Sequence, residues 1–528
     1  MKKIKYIASA LMGVALVGCY DMNTEPMGST ITVDQKTEAV QTNPSRIEAS
    51  VNGMSAMFYG FGKNVGEGNH NDLSYPAVML FTDSRGIDLV SEDIGYNWFG
   101  AAVTYSDLSY TGAATYITWS TFYKQIYAVN AVTNMIDPET EDENLQNYLA
   151  QAYAIRAFDY FYLAQLYQHT YVGNENKPCV PIITEANMDA AGSEGCPRST
   201  VAQVYEQIMN DLDNAIALFE KSPVKRADKR YINTEVAYGL RARVNLVMNN
   251  WAGAEADAAE ALRLTDATPY TIAQVSKPGM SEIEDNSWMW GILVAETDRP
   301  VTSGICNWPS HMGSLNYGYA SVGAWRKINK SLYAAIPATD VRKGWFLDEN
   351  AYSPHLNAEQ AAYVANEAGC PPYTQMKFGT YQDVVYTSTN ANDIPMMRVE
   401  EMYLILAEAQ AMNGNPSAGA ATLQTLISTY RDPAYVCTAA TAELVQDAVW
   451  MQRRIELWGE GFSYYDLMRL NKGVDRRGAG FQEAYVYNIS AGDDALIYRL
   501  PKDEIEGNPA LSEDDNNPVV SRPEPVTE

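Results

Sequence analysis

The chain has 528 residues, long enough for one large fold or for more than one domain; at 46% hydrophobic and 20% charged, its composition is that of a soluble globular protein. A formal charge of -27 repels phosphate backbones and anionic lipid, which excludes nucleic acid as a partner and points to ligands that are neutral or only locally charged. With 36 Tyr and 10 Trp against 12 Phe, the aromatic supply favours rings that carry a polar handle and work at wet surfaces.

The N-terminus opens with Lys2, Lys3 and Lys5, followed by an apolar run from Ile7 to Val17 that is too short to span a bilayer as a mature helix. Residues 1–18 therefore read as a signal peptide. The run ends in Leu16-Val17-Gly18-Cys19, a pattern similar to a bacterial lipobox, in which cleavage before Cys19 leaves its thiol to be acylated. The alternative is an ordinary secretory signal with a chance cysteine. No later segment reaches about 18 apolar residues without charges, so the expected membrane attachment is the lipid on Cys19 alone. Residues 19–45 are polar and read as a tether, and Asp21 and Glu25 resemble a surface-export signal of Bacteroidetes lipoproteins.

Helical periodicity dominates several stretches beyond the tether. Residues 116–136 place Trp119, Phe122, Tyr123, Ile126, Val129 and Val132 on one stripe, and residues 148–167 do the same with Tyr153, Ala157, Tyr160, Ala164 and Tyr167. Further helices are expected over 200–220, capped by Ser199 or Thr200, and over about 233–249, capped by Asn233 or Thr234. "LRARVNLVMNNWAGAEADAAEALRL" (240–264) and "LILAEAQAMNGNPSAGAATLQTLI" (404–427) read as two copies of a helix-turn-helix unit with tetratricopeptide-like small residues. Ala254 and Ala418 stand six residues beyond the methionine of each. Between about 265 and 393, Gly, Pro, Ser and Asn predict irregular structure and short strands. The acidic, Pro-rich tail from about 506 is expected to be partly mobile. Cys179, Cys196, Cys306, Cys370 and Cys437 leave open one local bridge, such as Cys179 with Cys196, or free thiols throughout.

A search for chemistry finds little. There is no P-loop, nucleophile elbow or zinc-protease motif; the four histidines are scattered, and "GFGKNVGEG" (60–68) reads as a loop and not as a phosphate cradle. The one enzymatic candidate is "QRRIELWGEGFSYYDLMRL" (452–470), where Glu456 and Glu460 could act as a glycosidase pair. Two carboxylates on one helix edge flank a scissile bond poorly, and the structural reading is favoured: i,i+3 pairs Arg453–Glu456 and Asp466–Arg469 around a break at Gly459 and Gly461.

"RRIELWGEGFSYYDLMRL" resembles the C-terminal signature of the SusD/RagB lipoproteins of Bacteroidetes. "IPMMRVEEMYLILAEAQAMNG" (394–414) and "IRAFDYFYLAQLYQHTYVG" (155–173) are similar to two more of that family's segments, and Trp119, Tyr123, Ile126 and Asn130 to a fourth. His169 after Gln168 departs from the family pattern. The resemblance implies a mostly α, SusD-like fold: tetratricopeptide-like helix pairs with irregular loops and short strands. It places a signal peptide at 1–18, a lipidated tether at 19–45 and one globular domain at 46–528, with an N-terminal part to about 264 and a C-terminal part from about 265. It also implies a non-enzymatic, cell-surface nutrient-binding protein of the outer membrane, without metal or cofactor, that closes as a lid on a SusC-like TonB-dependent transporter.

Sugar capture needs exposed aromatic faces, with amides, carboxylates or arginine for the hydroxyls. Two regions supply them. Residues 69–99 offer Asn71, Asp72, Tyr75, Asp83, Arg85, Tyr96 and Trp98; residues 288–326 offer Trp288, Trp290, Trp308, Asn316, Tyr317, Tyr319 and Trp325. At least two of these rings are expected in a surface site. An oligopeptide is the alternative ligand, served by the tyrosines with Arg85 or Arg326; a surface glycoside hydrolase and a structural adhesin are alternatives of other classes.

Overall fold

The computed structural model describes Val40 and residues 43–527 apart from Asp93. The expected signal peptide, Cys19 and nearly all of the tether lie outside the described residues. Helices α1 (Glu48–Ala56) and α2 (Tyr75–Arg85) lead into two long helices, α3 (Ala113–Thr133) and α4 (Glu143–Tyr167). In α4 aromatic and alanine residues occupy every face, so it is buried nearly all round, as a central helix must be. It starts where the Asp142 carboxylate accepts the backbone N–H of Asn144 and Leu145, both at 3.0 Å. Helix α5 (Val201–Lys221) opens with a capping box between Thr200 and Gln203 and packs along α4.

The two repeated units form helical hairpins, α6 (Thr234–Val247) with α7 (Trp251–Leu264), and α8 (Val399–Met412) with α9 (Pro416–Tyr430). Helix α7 packs against α8, so the hairpins stack although 134 residues separate them in sequence. In the second hairpin the close approach falls at Gly419, one residue past the expected Ala418. A Cβ on Gly419 would stand 2.4 Å from the Ala407 carbonyl oxygen, so only glycine lets the two helices meet there. Helices α10 (Ala442–Glu456) and α11 (Ser463–Arg469) complete the C-terminal part.

Strands are short and antiparallel: β1 (Leu89–Val90) with β3 (Lys327–Ile328), β2 (Trp288–Ile292) with β4 (Ile394–Arg398), and β5 (Val474–Asp475) with β6 (Asn488–Ile489). Their value is positional. The β1–β3 pair brings the 86–99 segment against the 311–328 segment, and β2 lies in the main core, where Trp290 meets Phe58 and Phe158 edge-on at 5.3 Å each. The tail expected to be partly mobile is tied down. Arg198 reaches the Asn517 side chain at 2.8 Å, and the Val526 N–H donates to the Val486 carbonyl at 2.8 Å. Cys179, Cys196, Cys306, Cys370 and Cys437 are free thiols.

Candidate functional site

The Gly-Glu-Gly segment is not a cleft. Glu456 and Glu460 are buried, and Arg398 bridges them, donating to Glu456 at 3.1 Å and to Glu460 at 2.8 and 2.9 Å. Arg431 and Arg342 also reach Glu456, Lys377 reaches Glu460, and Glu400 holds Arg431 at 2.8 Å. Burial would raise the Glu456 carboxyl, but Arg431, Arg398 and Arg342 outweigh it and hold it well below the ordinary carboxylate value. For Glu460 burial is likewise outweighed by Arg398 and Lys377, which lower its carboxyl. Neither can serve as a general acid near neutral pH, and neither meets solvent. The expected Arg453–Glu456 pair is absent: Arg453 binds Asp466 at 2.7 Å, because the turn folds α11 back over α10. Asp466 and Arg469 do pair, at 2.7 Å.

The sequence-derived candidates divide sharply. Trp288, Trp290 and Trp308 are fully enclosed, the last edge-on to Phe378 at 5.0 Å, and take no part in a surface site. Tyr75 is core and shares a hydrogen bond with Tyr162 at 3.0 Å. Arg85 is sandwiched between Tyr105 and Tyr498 and donates to Asp107 at 2.8 Å. Asp72 turns inward and accepts the Asn64 and Val65 N–H groups at 2.7 and 2.8 Å, closing the glycine loop 60–68. Asn71 donates to the Trp98 carbonyl at 2.8 Å, and so positions that tryptophan instead of a ligand.

Asp83 is also buried, and the Gly461 N–H donates to it at 3.1 Å. Burial pushes its carboxyl from 3.8 up to about 7, with the Gly461 N–H opposing and Asp88 adding repulsion. The folded chain therefore keeps a proton that the unfolded chain has released between about pH 4 and 7, and stability falls as pH rises through that window. Asp83→Asn is expected to remove this fall: denaturant unfolding should show the variant gaining on the parent from pH 4 to 8. Parallel profiles would refute the assignment.

The remaining rings converge. The His70 ring stacks on half-buried Trp98 at 4.5 Å and 23°, and its Nδ1 meets the Tyr319 hydroxyl. Tyr319 also has the Trp98 indole as a partner and stacks on His311 at 4.7 Å. His311 donates from Nε2 to the His70 carbonyl at 2.9 Å. Burial, followed by Arg326, pushes His311 down to about 3, so the pair is held by neutral hydrogen bonds at physiological pH. Below them Arg326, fully buried, donates to the Asn97 side chain at 3.1 Å and to the His311 carbonyl at 2.8 Å. At the rim Tyr96 is 58% and Tyr317 39% exposed, and Tyr317 meets the 45%-exposed Tyr386 edge-on at 5.1 Å. Trp325 is half-buried against a separate apolar cluster that includes Leu315, Leu347, Tyr363 and Met376. Asn316, Asn390 and Asn392 form an amide cluster beneath Tyr317.

The aromatic face thus consists of two ring groups, Trp98 on His70 with buried Tyr319 and His311 behind them, and the exposed Tyr317–Tyr386 pair, joined in sequence through residues 317–319. The reading of the sequence missed His70, His311 and Tyr386. The histidines are 241 residues apart and meet only through the β1–β3 pairing, so no local pattern announces them.

Residues 82–246 match the family described as "Starch-binding associating with outer membrane", and residues 323–517 match the "SusD family". The chain belongs to the SusD/RagB family. It is 22% identical over 411 residues to the SusD-like protein P38 of Formosa agariphila, covering 71% of this chain and 76% of that one. It is similar in fold to a SusD-like carbohydrate binding protein from Bacteroides vulgatus, with a TM-score of 0.74 at 23% identity over 90% of this chain and 98% of that one. A "Laminarin binding SusD-like protein" aligns with a TM-score of 0.63 at 19% identity, over 90% and 99%. The fold is SusD-like, and among the described residues no helix is long and apolar enough to cross a membrane.

Proposed function

We propose that this SusD/RagB member captures an oligosaccharide on its aromatic face and catalyses nothing. The observations that carry the reading are half-buried Trp98 seated on His70 beside the exposed Tyr96 in sequence, and the exposed pair Tyr317 and Tyr386 brought together from distant segments, with buried Tyr319 supporting from beneath. Rings with polar tips beside side-chain amides fit sugar C–H faces and hydroxyls. The laminarin-binding and carbohydrate-binding relatives support the same class of ligand. The glycoside hydrolase reading loses its carboxylate pair, since Glu456 and Glu460 lie inside a charge cluster without access.

In the cell, the protein hangs from the outer membrane by a lipid on Cys19, its globular body 46–528 faces the exterior, and it delivers ligand to a SusC-like TonB-dependent transporter as its lid. A glycan array and a mixed-peptide library, both probed with residues 19–528, test the ligand class. Saturable glycan binding is expected; peptide binding without a glycan response would replace this reading with the oligopeptide one. Purification from native membranes should bring down a large β-barrel partner, and its absence would count against the lid role.

A further inference from the structure

A cavity of about 430 Å³ lies away from the aromatic face, where loop 169–177 meets the α6–α7 turn, the end of α8, the end of α11 and the 491–492 turn. That volume lies within the range of about 300–1,000 Å³ occupied by small-molecule sites. The chain carries 65 acidic residues, yet none of them lines this cavity, whereas Lys177, Arg469, Lys472 and His169 do. Glu408 and Asp466 neutralise Arg469 from within the protein. Lys177 has no side-chain partner among the described residues and is left for a ligand; Lys472 lies 4.3 Å over the Trp450 ring and 3.5 Å from the exposed Asp447, so no buried acid cancels its charge.

Two further observations point to an occupant. His169 is 6% exposed, with Nε2 engaged by Asp494 at 3.1 Å, but its Nδ1 is buried without a partner, as is the Thr170 hydroxyl. Both atoms lie just behind the lining, so the wall of the cavity is polar as well as cationic. The half-exposed Trp251 ring and the exposed side chains of Asn249 and Asn471, which bond nothing among the described residues, line the same cavity. A bare inorganic anion would need neither an aromatic ring nor spare amides; a sugar needs both.

We propose that this cavity is a second ligand site, selective for a saccharide bearing a carboxylate or sulfate. Lys177 and Lys472 face the anionic group, Trp251 offers its ring to the sugar face, and Asn249 and Asn471 take hydroxyls. The global charge slows the approach of such a ligand, while the acid-free lining favours it at contact. The cavity shares no lining residue with the aromatic face, so the two sites stand or fall separately.

Calorimetric titration of residues 19–528 with trigalacturonate, a sulfated oligosaccharide, a neutral oligosaccharide of equal length and sodium sulfate tests it. At least one anionic sugar should bind saturably, more weakly as salt rises, and about tenfold or more weakly in Lys177→Met/Lys472→Met. That double variant should keep whatever neutral glycan the aromatic face binds. Asn249 and Asn471 both hold a left-handed backbone, at φ 56° and 50°, so the amides are removed with Asn249→Gly/Asn471→Gly, which glycine tolerates; this variant should weaken the anionic sugar severalfold. The proposal is overturned if neither anionic sugar binds at millimolar concentration, if the neutral sugar loses affinity in Lys177→Met/Lys472→Met as much as the anionic one, if sulfate alone accounts for the response, or if the lysine variant is indistinguishable from the parent.

Discussion

Arg398→Met is expected to destabilise the fold by about 3–5 kcal/mol, because it withdraws one cation from a buried cluster and leaves carboxylates uncompensated. Within the cluster Arg342, Lys377, Arg398 and Arg431 oppose Asp340, Glu400, Glu456 and Glu460, and Arg398 alone touches three of the four acids. Burial pushes Lys377 down to about 8, its pairing with Glu460 opposing, so near neutral pH it still contributes its charge. No solvent reaches the site to replace a lost partner. Equilibrium denaturation measures the loss directly. Arg398→Lys should recover only part of it, since one ammonium cannot donate to Glu456 and Glu460 in the forked geometry seen here. Arg398→Met combined with Glu460→Gln should cost less than the two single changes added together, as expected for groups in one network. A loss below about 1 kcal/mol for Arg398→Met would mean that the cluster is not what locks strand β4 to the end of α10.

This cluster also shows what was legible. The segments 394–414 and 452–470 stand out in the sequence, and the structural reading of their charges holds, but the partners are not local. Arg398 meets carboxylates 58 and 62 residues away, so spacing along one helix predicts the wrong pair for Arg453 and says nothing of Arg398. The same is true of Asn130 and Arg156, which bond each other at 2.8 Å across α3 and α4, with Arg156 held in turn by Asp211. Helices α3 to α9 were readable because caps and apolar stripes are local signals. Burial of single rings was not. Trp288 and Trp290 lie in a strand covered on both sides, while Trp98 and Tyr96 sit on a loop at the surface, and composition is the same in both places.

The contrast between those tryptophans gives the sharpest test of the aromatic face. Trp98→Ala should weaken oligosaccharide binding about thirtyfold or more, the loss typical of a hot-spot aromatic of at least about 2 kcal/mol. Trp290→Ala should instead cost about 3–5 kcal/mol of stability, by emptying the space between Phe58 and Phe158. Laminari- and malto-oligosaccharides serve as first probes, followed by whichever glycan the array identifies. His70 stacks on one side of the Trp98 ring, and Asn71 fixes its backbone, so the ring is held before the ligand arrives and little ordering entropy is lost on binding. For the same reason His70→Ala should weaken binding severalfold without touching the ligand, whereas Tyr96→Ala acts by direct contact. Affinity that survives Trp98→Ala, Tyr317→Ala and Tyr386→Ala alike would place the ligand elsewhere on the molecule, whatever the stability of the variants.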